Sequence, residues 1–157
     1  MKKLQKLSAL LLACAMVLLL FTACSGGSDP GAEAKAEAKV MASINDGRET
    51  KLDNDPTLKE NAKKLIDSDV SASAGNYAFT NKVHIDKVDG KVTVSVVAKY
   101  DYSNTKLEQL IGVLVSDPKV DINVNQVSKW TKVGVAVKTI QGQTYIAVSV
   151  QVQSIFG

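Results

Sequence analysis

Cysteine and histidine are the scarcest residues in this chain that can attack a bond, bind a metal or carry a proton. The 157 residues hold Cys14, Cys24 and the single histidine His84. A tetrahedral zinc site needs about four nitrogen or sulfur ligands, so this inventory predicts no transition-metal centre and no cofactor. The segment "DNDPT", Asp53 to Thr57, lacks the spacing and the glycine of an EF-hand loop. No serine stands in Gly-x-Ser-x-Gly, so a Ser-His-Asp triad would have to recruit His84. The glycines of "SGGSDPG", Ser25 to Gly31, are not followed by the Lys-Ser of a phosphate loop. The carboxylate pairs Asp53 and Asp55, and Asp67 and Asp69, flank one helical stretch, where capping and solvation account for them. Trp130, Tyr100, Tyr102 and Tyr145 are read as core and sheet-edge packing ahead of a ligand groove.

Cys24 has a different context. Lys2, Lys3 and Lys6 open the chain, and Leu7 to Phe21 is apolar apart from Ser8 and Cys14. A basic start, a short apolar run and a small-residue exit are the plan of a secretory signal peptide. The run is short for a spanning helix, and no basic cluster follows it. The exit "LFTAC" resembles a bacterial lipobox, with Ala23 and Thr22 before the cysteine and Phe21 where leucine is usual. The expectation is cleavage between Ala23 and Cys24 and diacylation of the Cys24 thiol. Each buried methylene of such an acyl chain contributes ~0.8 kcal/mol to membrane anchoring. With Cys14 removed, one cysteine remains, which cannot form an internal disulfide.

Cleavage also changes the charge. The whole chain carries 19 basic and 16 acidic residues, but three lysines leave with the leader, so the remainder balances at 16 and 16. A neutral chain gives no footing for nucleic-acid binding. The 157 residues less the 23 of the leader leave 134, enough for a tether and one domain. The expected organisation is a leader at 1–23, a flexible tether or stalk at 24–39 and a folded domain at 40–157. The placement that follows is a bacterial membrane lipoprotein facing outward, attached through its N-terminal lipid.

The elements around these residues are legible by period. "AEAKAEAKVMASIN" favours helix, with Val40, Met41 and Ile44 as a stripe near its end. Asp55 then caps a second helix opened by Pro56, in which Leu58, Ala62, Leu65 and Ile66 share a face. "KVHIDKVDGKVTVSVVAKY" alternates in two arms about Asp89-Gly90, a hairpin signal, and puts His84 on the side opposite Val83 and Ile85 as an exposed strand residue. A third helix follows, with Thr105 and Glu108 as a candidate capping box. A last hairpin turns at Gln141-Gly142, with Val133, Val135, Val137, Ile146, Val148 and Val150 on one face. The fold class is α+β, an antiparallel sheet packed against helices.

In this order the pieces resemble a CAP-superfamily domain (cysteine-rich secretory proteins, antigen 5, pathogenesis-related 1). "INDGR", Ile44 to Arg48, with Leu52, resembles the end of that family's first helix, and "DPTLKENA", Asp55 to Ala62, the opening of its second. "VSDPKVDIN" resembles the helix end before its last strands, and "TKVGVAV", Thr131 to Val137, with "TYIAVSVQVQ" and Phe156, its closing strands. The resemblance implies an α-β-α sandwich. The family's cleft histidines, which can bind a metal, have no counterpart: Lys119 or Val120 stands at one position and "SASAGNYAF" has none. "VDGKVTVSVVAKY", a following helix and "DPKVDINVNQV" also look like a BON module, which leaves the last hairpin over. The expected function is a lipid-anchored, non-enzymatic envelope protein that binds an envelope protein, a wall component or a small apolar ligand. The alternatives are a hydrolase with an unfamiliar site at His84 and a BON-like module that contacts lipid.

Overall fold

The computed structural model describes residues 30–73, 78–120, 124, 126 and 129–153. Ala23, Cys24 and Phe156 lie outside them. In chain order the elements are α1 (Pro30–Asn45), α2 (Pro56–Ala72), β1 (Lys82–Val88), β2 (Lys91–Lys99), α3 (Leu107–Ser116), β3 (Trp130–Ile140) and β4 (Gln143–Gln153). Among these helices none is long and apolar enough to cross a membrane.

Local chemistry sets the boundaries. Asp55 is the N-cap of α2, its Oδ1 accepting from the backbone N–H of Thr57 and Leu58 at 3.0 Å each. Both hairpins turn on two residues with positive φ, Asp89 and Gly90 at 50° and 70°, and Gln141 and Gly142 at 49° and 79°. That geometry matches the twist of the strands it joins. α3 begins one step later than a Thr105 cap would place it. Gln109 Oε1 accepts from the Lys106 N–H at 2.9 Å, while Thr105 Oγ1 accepts from the Asp101 N–H at 2.8 Å. Thr105 therefore closes the preceding turn, and Gln109 rather than Glu108 reaches back.

All strand pairs are antiparallel and the order is β1-β2-β4-β3, so both hairpins share one sheet. Alternation then separates two apolar layers. One face carries Val92, Val94, Val96, Val133, Val135, Val137, Ile146, Val148 and Val150, and meets Ala36, Val40 and Ile44 of α1 and Leu107, Leu110 and Leu114 of α3. The other carries Val97, Ala136, Tyr145 and Ala147, and meets Ala62, Ile66 and Val70 of α2. Helices thus cover both faces.

Gly134 is what lets α2 lie close. A Cβ at that position would stand 2.4 Å from the Leu58 carbonyl carbon and from Lys59 N. The small residues between the valines of β3 therefore face a closely packed helix.

α1 also departs from the stalk reading of residues 24–39. It starts at Pro30, and Ala36 and Glu37 are buried. The reason lies at the β3 edge. Glu33 Oε1 accepts from the Thr139 N–H at 2.8 Å and Glu37 Oε1 from the Val137 N–H at 3.1 Å. Asn54 brackets Val135, accepting from its N–H at 2.8 Å and donating to its carbonyl at 2.9 Å. The Asp55 N–H donates to the Val133 carbonyl at 2.8 Å. Side chains and one short backbone bridge thus satisfy an edge that would otherwise be open to another strand.

Candidate functional site

α2 lies over β3 and β4 and leaves the β1 side of that face less covered. A groove of about 360 Å³ remains, lined by Asn61, Lys64 and Leu65 of α2 and by His84, Thr93, Ser95 and Ser149 of the sheet, among others. The strand register places His84 opposite Ser95 and Ser95 opposite Ser149, so three polar side chains form a row across the floor.

His84 differs from the sequence expectation. It is half-buried rather than simply exposed, and its Nε2 lies 2.8 Å from Asp69 Oδ2. Asp69 is only 7% exposed, so its carboxylate is held by a ring and does not solvate the helix surface. The cause is helical periodicity. The stripe Leu58, Ala62, Leu65, Ile66 continues to Asp69, which puts this carboxylate on the buried face of α2. Asp67, two residues earlier, does point outward, where it pairs with Lys138 at 2.6 Å.

Ser95 and Ser149 are both buried and share a hydrogen bond of 2.7 Å between hydroxyls. The residue types of a hydrolase triad therefore meet in one groove, but their bonds run His to Asp and Ser to Ser. A triad needs the serine hydroxyl on the histidine. Among the described residues no such bond joins Ser95 to His84. What the row offers is a set of hydroxyl, amide, imidazole and carboxylate groups, with Lys64 on the rim. Ser95 and Ser149 escaped notice in the sequence because they sit inside valine-rich strands. The signal was a polar residue at matching inward positions of two buried strands.

The aromatic residues are mostly core. Trp130 is buried with its Nε1–H donated to the Val124 carbonyl at 2.9 Å. Tyr145 is fully buried against Phe79, ring centroids 5.0 Å apart, and burial pushes its hydroxyl pKa up. Tyr100 is buried as well, with its pKa raised first by that burial and then by Tyr102 and Asp101. Tyr102 is exposed and packs edge-on against Tyr100. A second hollow of about 250 Å³ lies beside Tyr100, between α1 and the start of α3. Among the described residues no three His, Cys, Asp or Glu side chains are placed to share a metal ion.

Five residues of the CAP-like motifs, Ile44, Asn45, Arg48, Asp55 and Gly134, converge on one junction, while Leu58 and Asn61 line the groove. Ile44 is buried. Asn45 brackets Leu52, accepting from its N–H at 2.7 Å and donating to its carbonyl at 2.9 Å. Arg48 Nη2 donates to the Trp130 carbonyl at 3.2 Å. Asp55 caps α2, and Gly134 receives it. These residues join the end of α1 to the start of α2 and the edge of β3, so each has a structural task away from the groove. No family model, characterised protein or solved structure matches the chain.

Proposed function

We propose that this protein is a lipid-anchored envelope protein that binds a polar wall component in the groove between α2 and β1. The domain is read as a non-catalytic, CAP-like module held outside the membrane by acyl chains on Cys24. The observation that carries the binding role is the polar row His84, Ser95 and Ser149, roofed only in part by α2. Hydroxyl and amide groups arranged on a rigid sheet suit a hydroxyl-rich glycan better than an apolar ligand. The bonding of Ser95 to Ser149 supports binding over hydrolysis, since among the described residues neither hydroxyl is bonded to His84 as a base.

The anchoring half rests on "LFTAC" and on the lone cysteine that cleavage would leave. The CAP-like half is supported by the motif order and by helices on both faces of one antiparallel sheet. Placement of both hairpins in that sheet weighs against a BON-like module with a hairpin left over. The test is sedimentation of the protein with isolated cell walls, repeated with Thr93→Val and Asn61→Leu. These changes remove polar atoms from the groove lining while keeping its shape. Saturable binding weakened by both supports the reading, and binding indifferent to both refutes it.

A further inference from the structure

The first turns of α2 and α3 are closed differently. The leading N–H groups of a helix have no partner inside it and call for an acceptor at the N-cap. Asp55 supplies that acceptor to α2. The N-cap of α3 is Lys106, whose ammonium carries donors only. Gln109 reaches back to the Lys106 N–H, and the N–H groups of Gln109 and Leu110 turn to the Lys106 carbonyl. Among the described residues nothing bonds to the N–H of Leu107 or of Glu108. A cation at this end also opposes the helix dipole, which favours an anion there.

Lys106, Leu107 and Glu108 line the hollow of about 250 Å³ between α1 and the start of α3, and Tyr100 lines it with them. Tyr100 is only 4% exposed, and among the described residues nothing bonds to its hydroxyl. No side-chain oxygen or nitrogen of the described residues is both fully enclosed and unbonded, so the Tyr100 hydroxyl keeps an opening. The hollow that the residue borders is that opening. Burial, the largest of the influences that raise its pKa, keeps the hydroxyl protonated and able to donate. From α1, Lys39 also lines the hollow, and its Nζ donates to the Tyr102 carbonyl at 3.3 Å with further protons to offer. Glu108 is the acidic residue of the lining, against Lys39 and Lys106, so the lining is net positive. The neighbouring Asp101 carboxylate is engaged elsewhere, by the Ser103 N–H and the Asn104 amide at 2.8 Å each.

We propose that this hollow binds the phosphate of a small phosphate ester at the N-terminus of α3. The donors are the N–H groups of Leu107 and Glu108, the Tyr100 hydroxyl and the ammonium groups of Lys39 and Lys106. A carboxylate presents two oxygens in one plane. A phosphate presents three acceptor oxygens in a tetrahedral array, which suits donors drawn from a helix end, a ring and a second helix. Ser43 and Ser103 border the rest of the hollow and suit a hydroxylated group, such as glycerol, on the ester. Tyr100, α1 and α3 pack on the face of the sheet opposite α2, so this site is separate from the groove beside His84 and does not rest on the ligand proposed there.

Backbone amide shifts of the purified full chain in a non-ionic, phosphate-free detergent test the inference. The probes are inorganic phosphate, glycerol 3-phosphate and glycerophosphoglycerol, the soluble diester headgroup of an anionic phospholipid. Chloride holds the ionic strength constant, so general screening does not change. The Leu107 and Glu108 amides should move saturably with a midpoint below about 10 mM, and acetate should bind about tenfold more weakly. Tighter binding of glycerol 3-phosphate marks a free ester as the source, and tighter binding of glycerophosphoglycerol marks a lipid headgroup. Lys106→Asp supplies the missing acceptor, so it should abolish the shifts while raising the thermal midpoint. A variant that merely disrupted the fold would lower it. Tyr100→Phe removes only the unbonded hydroxyl and should weaken binding about tenfold with the melt unchanged. Glu108→Gln should tighten binding about threefold by removing a carboxylate from the lining. No saturable movement of the two amides with any of the three phosphates overturns the site. Wild-type affinity in either Lys106→Asp or Tyr100→Phe overturns it as well, and acetate binding as tightly as phosphate overturns the choice of ligand.

Discussion

Replacing Gly134 with alanine adds one methyl group at the point where α2 approaches the sheet most closely. The new Cβ would sit 2.4 Å from the Leu58 carbonyl carbon, 2.4 Å from Lys59 N and 2.5 Å from Leu58 Cβ. Carbon atoms prefer about 3.5–4.0 Å. Two of the three obstacles are backbone, so no side chain can swing aside, and the first turn of α2 must lift. That turn also holds the Asp55 cap and the bond from the Asp55 N–H to the Val133 carbonyl. Overpacking in cores costs about 1–3 kcal/mol, and a backbone clash belongs at the upper end, so the expected loss is about 3 kcal/mol. Gly112→Ala is the internal comparison, because nothing lies within 4 Å of its Cβ position in α3. There the change should stabilise by roughly 0.5–1 kcal/mol through helix propensity. Urea unfolding of both variants gives the two values directly. A Gly134→Ala loss below about 1 kcal/mol would refute the close seating of α2 on β3.

Three further outcomes follow from the same contacts. Asp55→Ala should cost about 1 kcal/mol as a lost N-cap. The Asp55 carboxyl is held below its ordinary 3.8, first by the Leu58 N–H and then, against the opposing push of burial, by the Lys132 charge and the Thr57 N–H. Its contribution is therefore full above that value and fades as pH falls through the lower folded pKa, so the gap between wild type and Asp55→Ala should close under acid. His84→Ala should cost about 1–3 kcal/mol by leaving the Asp69 carboxylate without its ring partner, less than the about 2–5 kcal/mol expected for Ile146→Ala in the core. Thermal melts that show no shift for His84→Ala would refute the His84–Asp69 pair. Cys24→Ser should leave unprocessed precursor and abolish acyl labelling, and normal labelling of that variant would remove the lipid anchor from the account.

The parts of the fold legible in the sequence were those fixed by near neighbours. Asp-Gly and Gln-Gly between alternating arms set both hairpins, and Asp55-Pro56 before a 3.6-residue stripe set α2. The pairings of distant segments were not legible. Nothing local says that Glu33 and Glu37 reach the edge of β3 about a hundred residues later, so the first half of that helix, with no apolar face beyond alanine, reads as stalk. The same limit applies to the groove. His84 was correctly placed opposite Val83 and Ile85, but alternation assigns a face and cannot say which helix covers it. Asp69 could have been caught by extending the stripe of α2 by one turn. The row from His84 to Ser149 needed the strand order, which brings β4 beside β2 without any marker in either strand.

The central claim is that the groove beside His84 takes a polar wall component. The most direct measurement is the binding isotherm of the purified chain on isolated cell walls, for wild type, Thr93→Val and Asn61→Leu. The account predicts saturable binding for wild type and a rightward shift for both variants, with thermal melts unchanged. No binding, or three superimposable isotherms, would contradict it.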